Sequence, residues 1–414
     1  MILKSNLTYE KVAGLPYLGL LPKYLRSKLN TLSDLRDRAD FVGFRIGAKW
    51  FTLINHPETV QEIMALPYKF QKNININLLT GDGVLTSNGE KWYQDRKILQ
   101  QFFIQQDIEF KKEIIEKSIC SVLNNRSFDP IIDFKKLAAE LTFKVIAISL
   151  FGEIDSLKVD PLVRNTFDAI SKFISKTPYL PNWYTNFFLQ SQKNNFENNI
   201  KILKDHILNL VRDFKNQKNP SSKNILNCFL HHPNYETEAT QQIITMILAG
   251  YDTTSLTLCW ALFLLSTRPK MQEEILHDDQ LLERVLKEVM RLYPAGWAWT
   301  RDAVEDVELS HVKFLKGSKV FISPLLMHRD PRFYDNPSEF IPDRFLHFVN
   351  HKAYFPFGSG ARICLGKSFA MLELKIMLKS LLTNWIIGPT DSEPIMDPQI
   401  TLEGSGFFFT AQRR

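Results

Sequence analysis

Apolar positions recur three and four residues apart over most of this chain, the spacing of one helix face. The rhythm dominates from about 110 to 215, broken around KTPYLPNWYTN, and Pro220 with its serines marks a further loop. EKWYQDRKILQQFF and LLERVLKEVMRLYP share the period, the second stopping at Pro294, and HPETVQEIMAL opens a helix at Pro57. Alternating stretches are short. FVGFRIG and WFTLINH predict a hairpin around Ala48-Lys49, VKFLKGSKVFISPL a second turning at Gly317-Ser318, and PQITLEGSGFFFTAQ a third. Residues 70–90 read as a loop. The pattern predicts a mainly α protein with small β-sheets at its edge.

One segment is apolar on nearly every side: IITMILAGYDTTSLTLCWALFLL, residues 243–265, bracketed by Pro233 and Pro269. Its length approaches a membrane span, but Asp252 at its middle is costly in lipid and no second such segment accompanies it. It reads as the central helix of a large domain. The N-terminal stretch carries neither a signal-peptide core nor an anchor, so the expectation is a cytoplasmic protein without an integral membrane segment. No linker or shift in composition divides residues 1–414, which predicts a single domain.

Composition narrows the function. Fifty-one Lys and Arg face 45 Asp and Glu, a net charge of +6 with the lysines scattered, so no basic stripe for nucleic acid is evident. Thirty-one phenylalanines suit a large apolar interior or pocket. Cys120, Cys228, Cys259 and Cys364 are far apart in sequence, which signals neither a disulfide framework nor a zinc knuckle.

Cys364 stands in FPFGSGARICLGKSFA, just before a helix expected to begin near Leu365. Free N–H groups and the positive end of that helix would favour thiolate, the form that binds metal. The surrounding glycines allow the backbone to fold around a bulky group, and Arg362 can reach an anionic one. A lone cysteine in a turn is ordinarily structural; its neighbours argue otherwise here.

The segment FGSGARICLG resembles the haem-binding signature of the cytochrome P450 family, F-x-x-G-x-R-x-C-x-G, at every specified position: Phe357, Gly360, Arg362, Cys364 and Gly366. The resemblance implies the cytochrome P450 fold, with haem b (iron protoporphyrin IX) between the central long helix and the Cys-loop helix, and Cys364 as the axial thiolate. AGYDTT (249–254) is similar to the family's oxygen-binding segment. Ala249 and Gly250 would leave room for a ligand, and Asp252 with Thr253 would give a proton route into a dry pocket. WYQDR resembles W-x-x-x-R, making Trp92 and Arg96 haem contacts, and Arg301 sits where the family places another propionate partner. Glu288 and Arg291 resemble E-x-x-R, and Arg344 in FIPDRF would complete a structural Glu–Arg–Arg network. The short gaps flanking Glu288 and Arg344 are similar to compact bacterial members.

The resemblance implies monooxygenation of a small apolar substrate with O₂ and electrons from a ferredoxin or flavodoxin served by an NAD(P)H reductase. Lys91, Lys97, Lys367 and Lys375 are candidates for the docking face, and AGWAW, NININLLTG and GSGFFF for the pocket wall. Fatty acids, terpenes and polyketide-like molecules all suit such a wall. A peroxide-driven or isomerising enzyme and a non-catalytic haem sensor are the rival readings.

Overall fold

A computed structural model describes residues 1–4, 6–72, 80–105, 108–123, 131–151, 161–166, 169, 173, 187–216, 225–347, 352–391 and 393–414. Its axis is the helix Tyr235–Ser266, 32 residues long, which contains the expected apolar run 243–265 and begins eight residues before it. This helix is long and apolar enough to cross a membrane, but 72% of its most apolar window is buried inside the protein. The helices Phe134–Phe151, Asp279–Leu292 and Lys367–Asn384 pack around it. Trp260 on the axis, 1% exposed, stacks on Tyr293 with ring centroids 4.0 Å apart. Truncating so large a buried ring costs about 3–5 kcal/mol.

The helices end where the sequence stops them. Asp278 caps Asp279–Leu292 by accepting from the N–H groups of Gln280 and Leu281, and Pro294 follows its end. Pro57 opens Pro57–Ala65, where its fixed φ and missing N–H cost nothing. The stretches 89–105 and 108–123 are helical as the periodicity predicts.

The sheets are less local than the pattern suggests. Phe41–Ile46 and Lys49–Ile54 do form the first hairpin, turning at Gly47-Ala48, one residue earlier than expected. The second predicted hairpin is not one. Val312–Phe314 pairs with Ile2–Leu3 and Val307–Glu308, while Lys319–Ile322 lies parallel to Lys49–Ile54 and antiparallel to Trp299–Ala303. Gly317 turns the chain there, but into a different, six-stranded sheet. The third fails for the same reason. Leu402–Ser405 pairs with Ile395–Pro398, whereas Phe408–Arg413 joins Trp385–Gly388 and Ile131–Asp133. Alternation marks a strand but not its partner. Within the expected loop 70–90, Phe70–Gln71 is a short strand on the edge of the six-stranded sheet.

Candidate functional site

The loop before Cys364 is held from both ends. Phe355 N–H donates to His328 Nε2 at 3.0 Å, Gly358 N–H to Phe355 O at 3.0 Å, and Cys364 N–H to Phe357 O at 2.9 Å. Gly360 takes φ +62°, and a Cβ there would lie 2.3 Å from Met64 O, so only glycine fits. The helix that follows starts at Lys367, with Gly366 at its cap, two residues later than expected.

Cys364 opens into a cavity of about 610 Å³, lined on one side by this loop and on the other by the central helix. Cys364 keeps accessible surface and is one of the residues that line this cavity. The expectation of a lowered thiol pKa is not met: burial pushes it up, and the Gly366 N–H, Arg96, Lys367 and Lys72 pull back only part of the way. A metal cation bound at the sulfur would supply the missing compensation.

Six cationic side chains line the same cavity, Lys28 and Lys49 among them, and four of the six, Lys72, Arg96, Arg301 and Arg362, gather closely enough to act on one another's charge. Arg362 lies 4.2 Å over the Trp92 ring, and one of its nitrogens donates to Ser87 O and Asn88 Oδ1. Its Nε and Nη1 are buried without a hydrogen-bond partner among the described residues. Burial, then Arg301 and Arg96, bring its pKa down to about 9. Burial alone brings Arg301 down to about 10. Lys72 is pushed well down by burial and then by the three arginines, with its Nζ on Leu85 O. Among the described residues, the one carboxyl lining the cavity is Glu373, whose pKa burial pushes well up. None of these four cations has a carboxylate partner among the described residues, and Arg362 keeps two buried donors without a partner of any kind there. These residues fit a flat dianion whose metal meets Cys364: Lys72, Arg96, Arg301 and Arg362 would hold the carboxylates of haem, with Trp92, Phe357 and Gly366 beside it.

Ala249, Gly250 and Thr253 line the opposite wall. A Cβ on Gly250 would come within 2.6 Å of Ile146 Cδ1, so the missing side chain also serves helix packing. Thr253 Oγ donates back to Ala249 O at 2.7 Å. Asp252 does not line the cavity; its Oδ2 accepts from the hydroxyl of Thr401, which does.

Behind the loop lies the predicted ion-pair network. Arg291 donates to both carboxylate oxygens of Glu288 at 2.7 and 2.8 Å and to the carbonyls of His328, Pro337 and Glu339. Arg344 Nε donates to Glu288 Oε1 at 3.1 Å. Since Phe355 hangs from His328, the network fixes the loop that carries Cys364.

Other expectations divide. Residues 295–299 line the cavity, whereas 404–409 do not: Phe407 packs edge-on against Trp260, and Phe409 is buried against Phe134. Residues 399–401 take that place. NININLLTG lies mostly outside the described residues. Lys91 pairs with Asp95 and Glu238, and Lys375 with Glu283, while Lys97 and Lys367 are exposed. Lys72, Glu373 and Thr401 were not anticipated. Only Glu373 leaves a trace, as a carboxyl in the apolar stripe of the helix Lys367–Asn384.

The family model for cytochrome P450 matches residues 11–410. Cyclooctatin synthase of Streptomyces melanosporofaciens is 27% identical, across 94% of this chain and 92% of its own. Pentalenene oxygenase of Streptomyces avermitilis is 25% identical, across 90% and 89%. Among solved structures, a 6-coordinated cytochrome P450 from Thermus thermophilus superimposes with a TM-score of 0.77 at 25% identity, covering 93% of this chain and 98% of that one.

Proposed function

The chain belongs to the cytochrome P450 family, and from that premise we propose that it is a single haem domain in which Cys364 is the thiolate ligand and the cavity takes a terpene-sized apolar substrate. As a P450 it is a haem b monooxygenase that uses O₂, an apolar substrate and redox partners. Bound haem supplies the oxygen chemistry, placing one atom in the substrate and the other in water.

The observation that carries the site assignment is the gathering of Lys72, Arg96, Arg301 and Arg362, out of the six cationic side chains that line the cavity, on the part of it that Cys364 shares. Lys72, Arg96, Arg301 and Arg362 bind and orient the propionates, and Trp92 packs beneath Arg362. Ala295 to Trp299 form an apolar wall that excludes water and shapes the substrate. Terpene size is supported by the names of the two Streptomyces relatives. With its own proton committed to Ala249 O, Thr253 offers its oxygen as an acceptor that positions a water in the cavity. Asp252 brings protons to that side of the central helix. Electrons come singly from a separate ferredoxin or flavodoxin and its NAD(P)H reductase, docking near exposed Lys97 and Lys367, in the cytoplasm.

The test is a reconstituted assay with a surrogate ferredoxin system and a panel of cyclic terpenes. Oxygen uptake should track substrate loss in equal amounts. Thr253→Ala should keep consuming NADPH but release hydrogen peroxide in place of product; wild-type coupling in that variant removes Thr253 from the chemistry. A protein that binds a terpene yet never consumes O₂ would be a sensor.

A further inference from the structure

Asp252 is the acid expected to serve the cavity, yet it does not line it. Thr401 does, from the bend between the strands Ile395–Pro398 and Leu402–Ser405, and its hydroxyl donates to Asp252 Oδ2. The bend is fixed rather than loose. Gln399 and Glu403 N–H groups both donate to Thr401 O, at 3.0 and 2.9 Å, Leu402 N–H donates to Ala295 O at 2.9 Å, and Trp297 Nε1 donates to Gln399 O at 2.9 Å. Asp252 also lies near enough to Lys135 to help raise its pKa, after burial and Glu403, and Lys135 Nζ donates to Glu403 Oε2 at 3.2 Å. Both of those side chains reach solvent, at 45% and 24% exposure. Thr253, the neighbour expected to hand the proton on, has its own hydroxyl committed to Ala249 O.

We propose that protons enter the cavity through Thr401: Asp252 is reloaded from solvent beside Lys135 and Glu403, and the Thr401 hydroxyl carries the proton across. With Asp252 ionised, the Thr401 O–H points at the carboxylate. When Asp252 takes a proton from water on the Lys135 side, its new O–H donates to Thr401 Oγ. That frees the Thr401 proton to pass to a water oxygen in the cavity, while the carboxyl proton moves onto Oγ. One O–H bond breaks and one forms at Thr401, Asp252 returns to carboxylate, and one proton has crossed the helix. Thr253 is left as the acceptor that positions the receiving water. The scheme adds a third residue, from a distant strand turn, to the pair on the central helix, and it rests on the proposed role of Asp252.

The test uses the haem-loaded protein with NADPH, a ferredoxin reductase and ferredoxin, without organic substrate, and follows oxygen consumption in H₂O and D₂O. Thr401→Val should lower the rate at least about tenfold and enlarge the solvent isotope effect, since a positioned proton donor contributes about 10²–10⁴-fold. Thr401→Ser should restore both. A second readout does not depend on turnover. The protonated-carboxyl infrared band that Asp252→Asn removes should move to higher wavenumber in Thr401→Val and return in Thr401→Ser. If Thr401→Val matches wild type while Asp252→Asn is slow, the relay through Thr401 is overturned and the role of Asp252 stands. If both match wild type, the Asp252 route itself is wrong.

Discussion

Arg291 and Arg301 are both withdrawn from water, at 0% and 4% exposure, but their surroundings are opposite. Arg291 spends its donors on Glu288 and three backbone carbonyls, and Glu288 in turn accepts from Arg344 Nε and Ile341 N–H. Arg301 shares its cavity with Lys72, Arg96 and Arg362, and burial pushes up the pKa of Glu373, the one carboxyl lining that cavity among the described residues. A charge buried with its partner is a structural joint; a cluster of charges buried without one is a binding site. The first region holds the Cys364 loop in place through His328, and in the proposed site the second would receive the propionates of haem. Breaking the first region should therefore unfold the protein, whereas breaking the second should leave it folded but poor in haem.

The largest effect belongs to the joint. Glu288→Ala strands Arg291 with no counter-charge, at a cost of about 3–5 kcal/mol out of the roughly 5–15 that hold a domain together. We expect little soluble protein, and denaturation in urea shows the loss directly. Arg301→Met should instead give folded protein with poorly retained haem. If the two variants behave alike, the distinction between the regions collapses.

Acid should break the joint next. Burial, then Arg291, holds the His328 pKa at about 3, below its ordinary 6.5. The folded state thus keeps this ring neutral while the unfolded chain protonates it. Stability from His328 is full above pH 6.5 and is lost as pH falls toward about 3, on the order of 5 kcal/mol in all. His328→Leu should be less stable at neutral pH but show a flatter decline over that range. An unchanged slope would mean that His328 does not carry the acid sensitivity.

The smallest effect sharpens the other side. Lys72→Met relieves the repulsion among buried cations, so the apoprotein should gain roughly 1 kcal/mol. Haem release to a competing apoglobin should nonetheless quicken about tenfold. A less stable apoprotein with unchanged haem release would make Lys72 an ordinary structural lysine.

The joint was legible in the sequence because its members sit in recognisable local settings: Glu288 and Arg291 one helical turn apart, Arg344 in FIPDRF. The arginines of the cavity were legible for the same reason. Lys72 was not, since a lone lysine in a loop resembles any surface charge until Asn88 grips its backbone on both sides. Thr401 was hidden by distance, being 149 residues from the acid it touches. The sheets fail alike: Lys319–Ile322 runs parallel to a strand more than 250 residues earlier, and no turn chemistry announces such a partner. Segment 404–409 looked like pocket wall because it is aromatic, but its rings complete the core around Trp260 and Phe134.

The central claim is that the cation cluster and Cys364 form one haem-thiolate site. It is tested most directly by the absorption spectrum of the reduced protein under carbon monoxide, compared between wild type and Cys364→His. Wild type should show the red-shifted Soret band of thiolate-ligated haem, and Cys364→His should keep haem in the cavity but lose that band. A red-shifted band that survives in Cys364→His would place the ligand elsewhere and contradict the account.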